Sequence, residues 1–129
     1  EVVIADTSHM MGEVNFTRYV NKQHRTIKAG YEASVAAYEA IDDTATDFEG
    51  VVPDRTKAPT YLKAVVGCEF FVCANHTDKT QKDNGYQIIL VAKNKKGYHN
   101  LAKMSSISYI NGFYYVPRID REVILKYKE

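Results

Sequence analysis

The stretch LKAVVGCEFFVC, Leu62 to Cys73, decides the fold class. It is apolar and β-branched almost throughout. A strand with one wet face alternates apolar and polar residues, so a continuous run of this kind reads as a strand buried on both faces. Two companions flank it in the chain: VVIAD (Val2–Asp6) before it and YQIILVA (Tyr86–Ala92) after it. Between the first two runs, Phe16, Val20, Ile27, Tyr31, Val35 and Tyr38 recur near multiples of 3.6 residues. That spacing predicts one unusually long helix over Met11–Ile41, or two helices broken near Gly30, where glycine costs ~1 kcal/mol against alanine. From Asp42 to Thr60 the chain turns acidic and carries Pro53 and Pro59, which predicts a long loop.

The segment ANHTDKTQKDNG, which follows Cys73, is polar and reads as a turn or loop tip. Asn94 is placed to cap a helix from Lys95 to about Tyr109, with Tyr98, Leu101, Met104 or Ser105, and Ser108 on one face. INGFYYVPRI reads as irregular. Asp120 then caps a last helix that turns Val123, Ile124 and Tyr127 inward. The order β-α-β-β-α-α predicts α/β architecture, with a long helix and two shorter ones covering about three largely parallel strands. Three such strands cannot close a barrel and leave two open edges.

Composition narrows the class. The 129 residues are 45% hydrophobic and 26% charged, enough for one modest core. The formal charge of +1 argues against a global basic field, and hence against strong direct nucleic-acid binding. No apolar run approaches the ~20 residues of a membrane helix. Cys68 and Cys73 sit at an odd separation, which puts them on opposite faces of a strand; no disulfide is expected and a reducing cytoplasm fits.

Four motifs, in order, resemble one family. IADTSHMMGEVNF is similar to T-D-H-G-N-M-x-G-x-x-x-F, and VVGCEFFV to I-I-G-C-E-x-Y-V. ILVAKNKKGYHNLAKMSSISY is similar to L-L-A-K-N-x-x-G-Y-x-N-L-x-K-L-x-S, and GFYYVPRID (Gly112–Asp120) to G-F-Y-Y-x-P-R-I-D. Together they resemble the polymerase-and-histidinol-phosphatase (PHP) domain of bacterial DNA polymerase III α subunits. The resemblance spans nearly the whole chain, with an insertion at roughly 24–60. It implies a partial PHP-type (β/α) barrel, an internal fragment whose first H-x-H strand and later strands lie outside the segment. The parent is then a DNA-directed DNA polymerase, a nucleotidyltransferase of DNA replication. Its polymerising carboxylates lie elsewhere, so the isolated segment is expected to be inactive.

The resemblance also implies a metal site at the C-terminal ends of the strands, holding zinc or manganese in the parent family. Of three family ligand positions here, the glutamate of G-C-E is kept as Glu69, while two histidines fall on Thr7 and Gln87. The site therefore reads as degenerate: no cofactor and no catalytic residue are expected in this segment. Glu69 is either a remnant ligand or a structural, paired carboxylate. Asp6 caps the following helix or orients the old site from a second layer. His9 is a replacement ligand or a solvated loop histidine; His76 in the polar tip and His99 on the exposed side of its helix read as non-functional. Arg118 and Asp120 pair with each other or cap helix ends. Tyr114 and Tyr115 pack against neighbouring parts of the polymerase or stack on bases. The lysines of KNKK (Lys93–Lys96) are a solvated helix end or a phosphate site.

The implied partners are the rest of the α subunit and, by resemblance, a proofreading exonuclease subunit; the isolated segment is expected to self-associate. A different class also fits the resemblance: an active metal-dependent phosphoesterase or pyrophosphatase of the wider PHP superfamily. The two lost ligand positions argue against it.

Overall fold

A computed structural model describes residues 1–40, 59 and 63–128. Its elements run β1 (Val2–Thr7), α1 (Glu13–Glu39), β2 (Ala64–Cys73), β3 (Tyr86–Val91), α2 (Lys95–Ile110), β4 (Arg118–Asp120) and α3 (Arg121–Tyr127). The α/β class stands, with two corrections. A fourth short strand, β4, forms where the sequence reads as irregular, and the sheet is only partly parallel.

The run that opened the sequence reading, β2, is the centre of the sheet. β1 lies parallel along its first half, from Val2 opposite Ala64 to Thr7 opposite Glu69. β4 continues that same edge, parallel, pairing Phe71 with Arg118 and Cys73 with Asp120. β3 fills the other edge and is antiparallel, pairing Gly67 with Val91 and Val72 with Tyr86. The reversal fits the connection: the loop between β2 and β3 carries no helix, the usual means of a parallel crossover, and brings the chain straight back along the neighbouring edge. The expected open edges are present, at β1 and β3.

Paired residues share a sheet face and neighbours alternate. Cys68, Phe70, Val72, Ile88, Leu90 and Ile119 therefore face one way. That face meets Leu101 and Met104 of α2 and Val123 of α3 to form the core. Both caps read from the sequence are made: the Asn94 side chain accepts from Gly97 N–H and that of Asp120 from Val123 N–H. Both cysteines are buried and free. Burial, with the Asp6 charge adding to it, pushes the Cys68 thiol up to about 12.

At the β4 end of the opposite face Arg118 and Asp120, paired with Phe71 and Cys73, are buried, but across β1 and β3 the described residues leave that face open. Val3, Ile89 and Val91 stand there at 54%, 59% and 50% exposure. The continuous apolar runs implied burial on both faces; among the described residues, helices cover only one. α1 runs unbroken through Gly30, which is exposed and where an added Cβ would meet nothing within 4 Å. Of its expected apolar stripe, Val20 is buried and Ile27 is 41% exposed. The expected loop over Asp42–Thr60 lies outside the described residues, apart from Pro59.

Candidate functional site

The three positions that the family resemblance offers as ligands, Thr7, Glu69 and Gln87, share the open face. Thr7 ends β1 directly opposite Glu69 in the parallel ladder, so the two side chains lie on the same side. The Thr7 hydroxyl donates to Glu69 Oε2 at 2.5 Å. Gln87 faces Phe71 rather than Glu69, with Ile89 opposite Glu69. A metal ion needs several His, Cys, Asp or Glu donors converging on one point. Among the described residues no group of three such side chains does so. One carboxylate, partly used by a threonine hydroxyl, does not fit the metal that the family resemblance implies.

Asp6 and His9 sit elsewhere. Asp6 pairs with Cys68 and so points to the face opposite Glu69. Its Oδ2 accepts the N–H of Gly12, the residue that leads into α1, at 2.7 Å. A Cβ on Gly12 would lie 2.9 Å from that same oxygen, so the turn depends on the small residue. His9 Nδ1 is 3.5 Å from Asp6 Oδ2 and accepts from Met11 N–H. These two side chains order the turn between β1 and α1 and do not join Glu69.

Ser8 closes that turn at a cost. Its φ is +59°, where an L-residue loses roughly 1–2 kcal/mol. Its N–H donates to Glu69 O and its carbonyl accepts from Ser105 Oγ, which pins the strained backbone between β2 and α2. Its own Oγ is buried with no partner. The family pattern quoted above has glycine at this position. Ser8→Gly should therefore raise stability by about 1–2 kcal/mol, through relief of the left-handed strain and removal of the orphan hydroxyl. A thermal melt reads this as a rise of several degrees; an unchanged or lower midpoint refutes it.

The second constellation is the motif GFYYVPRID, and the sequence reading missed what it builds. Arg118 is completely buried, with its fork turned onto main-chain carbonyls. Nε donates to Gly112 O at 3.1 Å, Nη1 to Asp83 O at 2.9 Å and Nη2 to Asp78 O at 2.8 Å. A longer contact of 3.5 Å reaches His76 O. The Tyr114 ring lies against the guanidinium, with its centroid 5.3 Å away. Gly112 is fitted to this arrangement: a Cβ there would come within 1.9 Å of Arg118 O.

Asp120 does not pair with Arg118. One carboxylate oxygen caps α3 through Val123 N–H at 3.0 Å. The other takes the backbone N–H of His76 at 3.2 Å and its Nδ1 at 2.5 Å. Burial pushes the Asp120 carboxyl up, but the hydrogen bonds from His76 and Val123 outweigh it and hold it below the usual range. His76 is thus not a solvated tip residue; its side chain is 15% exposed. Asp83 accepts from Ala74 and Gly85 N–H, which holds its carboxyl low and closes the base of the loop. The motif is a clasp that ties the loop between β2 and β3 to the sheet and to α3. Tyr115 stands outside it at 64% exposure, with φ +64° and Lys82 Nζ 4.9 Å from its ring. His99 is exposed on α2, as its place in the helix implied.

Comparison with known proteins agrees with this geometry. A family model described as "PHP domain" matches residues 1–129. The DNA polymerase III subunit alpha of Borreliella burgdorferi is 46% identical over 72 residues, covering 53% of this chain and 6% of the relative. That of Chlamydia muridarum is 34% identical over 94 residues, covering 70% of this chain and 8% of the relative. That of Treponema pallidum is 40% identical over 72 residues, covering 53% and 6%. The chain thus spans under a tenth of the length of these curated relatives. It belongs to the PHP domain family.

Proposed function

We propose that this chain is part of the PHP domain of a replicative DNA polymerase III α subunit, and that its role there is structural. The observation that carries the reading is the bond from Thr7 to Glu69. It ties β1 to β2 at the strand ends where the family resemblance places a metal, and so replaces coordination by a local hydrogen bond. The open face, with Val3, Ile89 and Val91 half exposed, suits the interior of a barrel completed by further strands of the parent. The segment at roughly 24–60 is an insertion relative to the family. Work in DNA replication places the parent in the cytoplasm; no described helix is long and apolar enough to cross a membrane. Its partners are the remainder of the α subunit and a proofreading exonuclease subunit. By itself, the chain covers its open sheet face and edges by self-association, which sedimentation at tens of micromolar would register as a dimer or larger species.

Calorimetric titration with Mn²⁺ and with Zn²⁺, followed by a phosphoester hydrolysis assay, tests the structural role. The expected result is no uptake in the micromolar range and no phosphate release above background, with Glu69→Gln changing neither. Metal-dependent hydrolysis that disappears in Glu69→Gln would establish the phosphoesterase reading instead.

A further inference from the structure

The near-neutral net charge is a sum, and the fold separates its terms. None of the 16 acidic residues lies on α2, whose sequence is KKGYHNLAKMSSISYI. Leu101, Met104 and Ser108 turn inward, and Asn100 is buried beside them. Among the described residues, none packs over the opposite side of the helix at Lys95, His99 and Ser106. At ~100° per residue, Lys95, His99, Lys103 and Ser106 stack along that side, with Tyr109 and Ile110 continuing it. Lys95, His99, Lys103 and Ser106 are all exposed and line one shallow groove with Ala102. The spacing of four residues from Lys95 to His99 to Lys103 places those groups about 6 Å apart along the helix axis.

Aromatics follow one turn beyond Ser106. Tyr109 and Phe113 stack with ring centroids 6.3 Å apart and planes 16° from parallel. They are 47% and 48% exposed, beside Ile110 at 76%. Buried packing does not account for them, because the core lies on the other side of the helix. A row of cations leading to stacked, wet aromatic rings is the surface that a single strand of nucleic acid meets well. Phosphates follow the cations and bases stack on the π-faces without sequence preference. An acidic peptide would satisfy the lysines but leave the stacked pair without a flat partner.

We propose that the outer face of α2, from Lys95 to Ile110, together with Phe113 just beyond its end, is a contact surface for single-stranded nucleic acid. This goes beyond the structural role argued above and does not depend on it. The surface is separate from the Thr7–Glu69 pair, which lies on the open face of the sheet.

Fluorescence anisotropy with a labelled twenty-nucleotide oligothymidylate and the 129-residue chain tests it. Binding is expected at 50 mM salt and should weaken as salt rises, log–log, by about 0.7 per phosphate contact. Lys95→Ala with Lys103→Ala should weaken binding about tenfold at 50 mM salt and flatten that slope by about 1.4. Tyr109→Ala should weaken it about fivefold and leave the slope unchanged. Lys28→Ala, on α1 and paired with Glu32, serves as the control and should have no effect. Circular dichroism checks that each variant is folded; all the substituted side chains are exposed. Absence of binding by the unmodified chain at 50 mM salt overturns the proposal, as does binding that the lysine pair does not carry. An unaffected Tyr109→Ala, or equal competition by a polyglutamate of matched charge, overturns the assignment to single strands and leaves a non-selective cationic patch.

Discussion

Arg118→Met should lower the stability of the chain by about 3–5 kcal/mol, enough to unfold many single domains of this size. Methionine refills most of the volume, so the loss isolates the hydrogen bonds. The guanidinium satisfies carbonyls of Gly112, Asp83 and Asp78, which come from two separate segments of the chain. Without it, the carbonyl of buried Gly112 is left with no donor, at roughly 1–3 kcal/mol, and the charge-assisted bonds to half-buried Asp83 and exposed Asp78 are lost, offset in part as the loop relaxes into water. Arg118→Lys should rescue little, because one ammonium cannot reproduce a planar fork reaching three carbonyls. Urea denaturation of both variants measures this. Retention of near-native stability by either one would show that the loop holds itself closed without the clasp.

Asp120→Ala comes second, with an expected loss of about 3 kcal/mol. It removes the α3 cap, typically ~1 kcal/mol, and the charged acceptor for His76, roughly 1.5–3 kcal/mol. Asp120→Asn separates the two, since asparagine is an equally good cap but carries no charge. It should therefore lose less than Asp120→Ala. The pH dependence has a definite sign. The folded carboxyl of Asp120 lies below its ordinary value. Its contribution is thus fully present above the unfolded value, near 3.9, and is lost as pH falls through the lower folded value. The stability gap between the unmodified chain and Asp120→Asn should narrow as pH falls below about 4. A gap that persists undiminished at pH 2–3 would mean that the Asp120 charge contributes nothing beyond its shape.

Much of the fold was legible because its signals are local. A cap bonds a backbone N–H three residues on, so Asn94 and Asp120 announce α2 and α3 without knowledge of the rest of the chain. The buried face of α2 follows from the helical period alone. The odd spacing of Cys68 and Cys73 sufficed to exclude a bond between them. The family was legible too, since the four motifs are patterns of adjacent residues.

What the sequence alone left open depends on contacts between distant residues. The short strand β4 exists only because β2 offers it an unpaired edge beyond the end of β1; three residues carry too little periodicity to signal it. The antiparallel direction of β3 depends on how its loop returns, and an apolar run reads the same in either direction. Asp6 and Thr7 are neighbours, yet pairing in the sheet sends one to Gly12 and the other to Glu69. The meaning of PRID lay furthest from view. Arg118 finds its acceptors at Asp83, 35 residues away, and at Asp78, 40 away, and Asp120 meets His76 across 44. A buried guanidinium and carboxylate take whatever partners the chain's path delivers, and that path is a property of the whole packed structure rather than of any window of sequence.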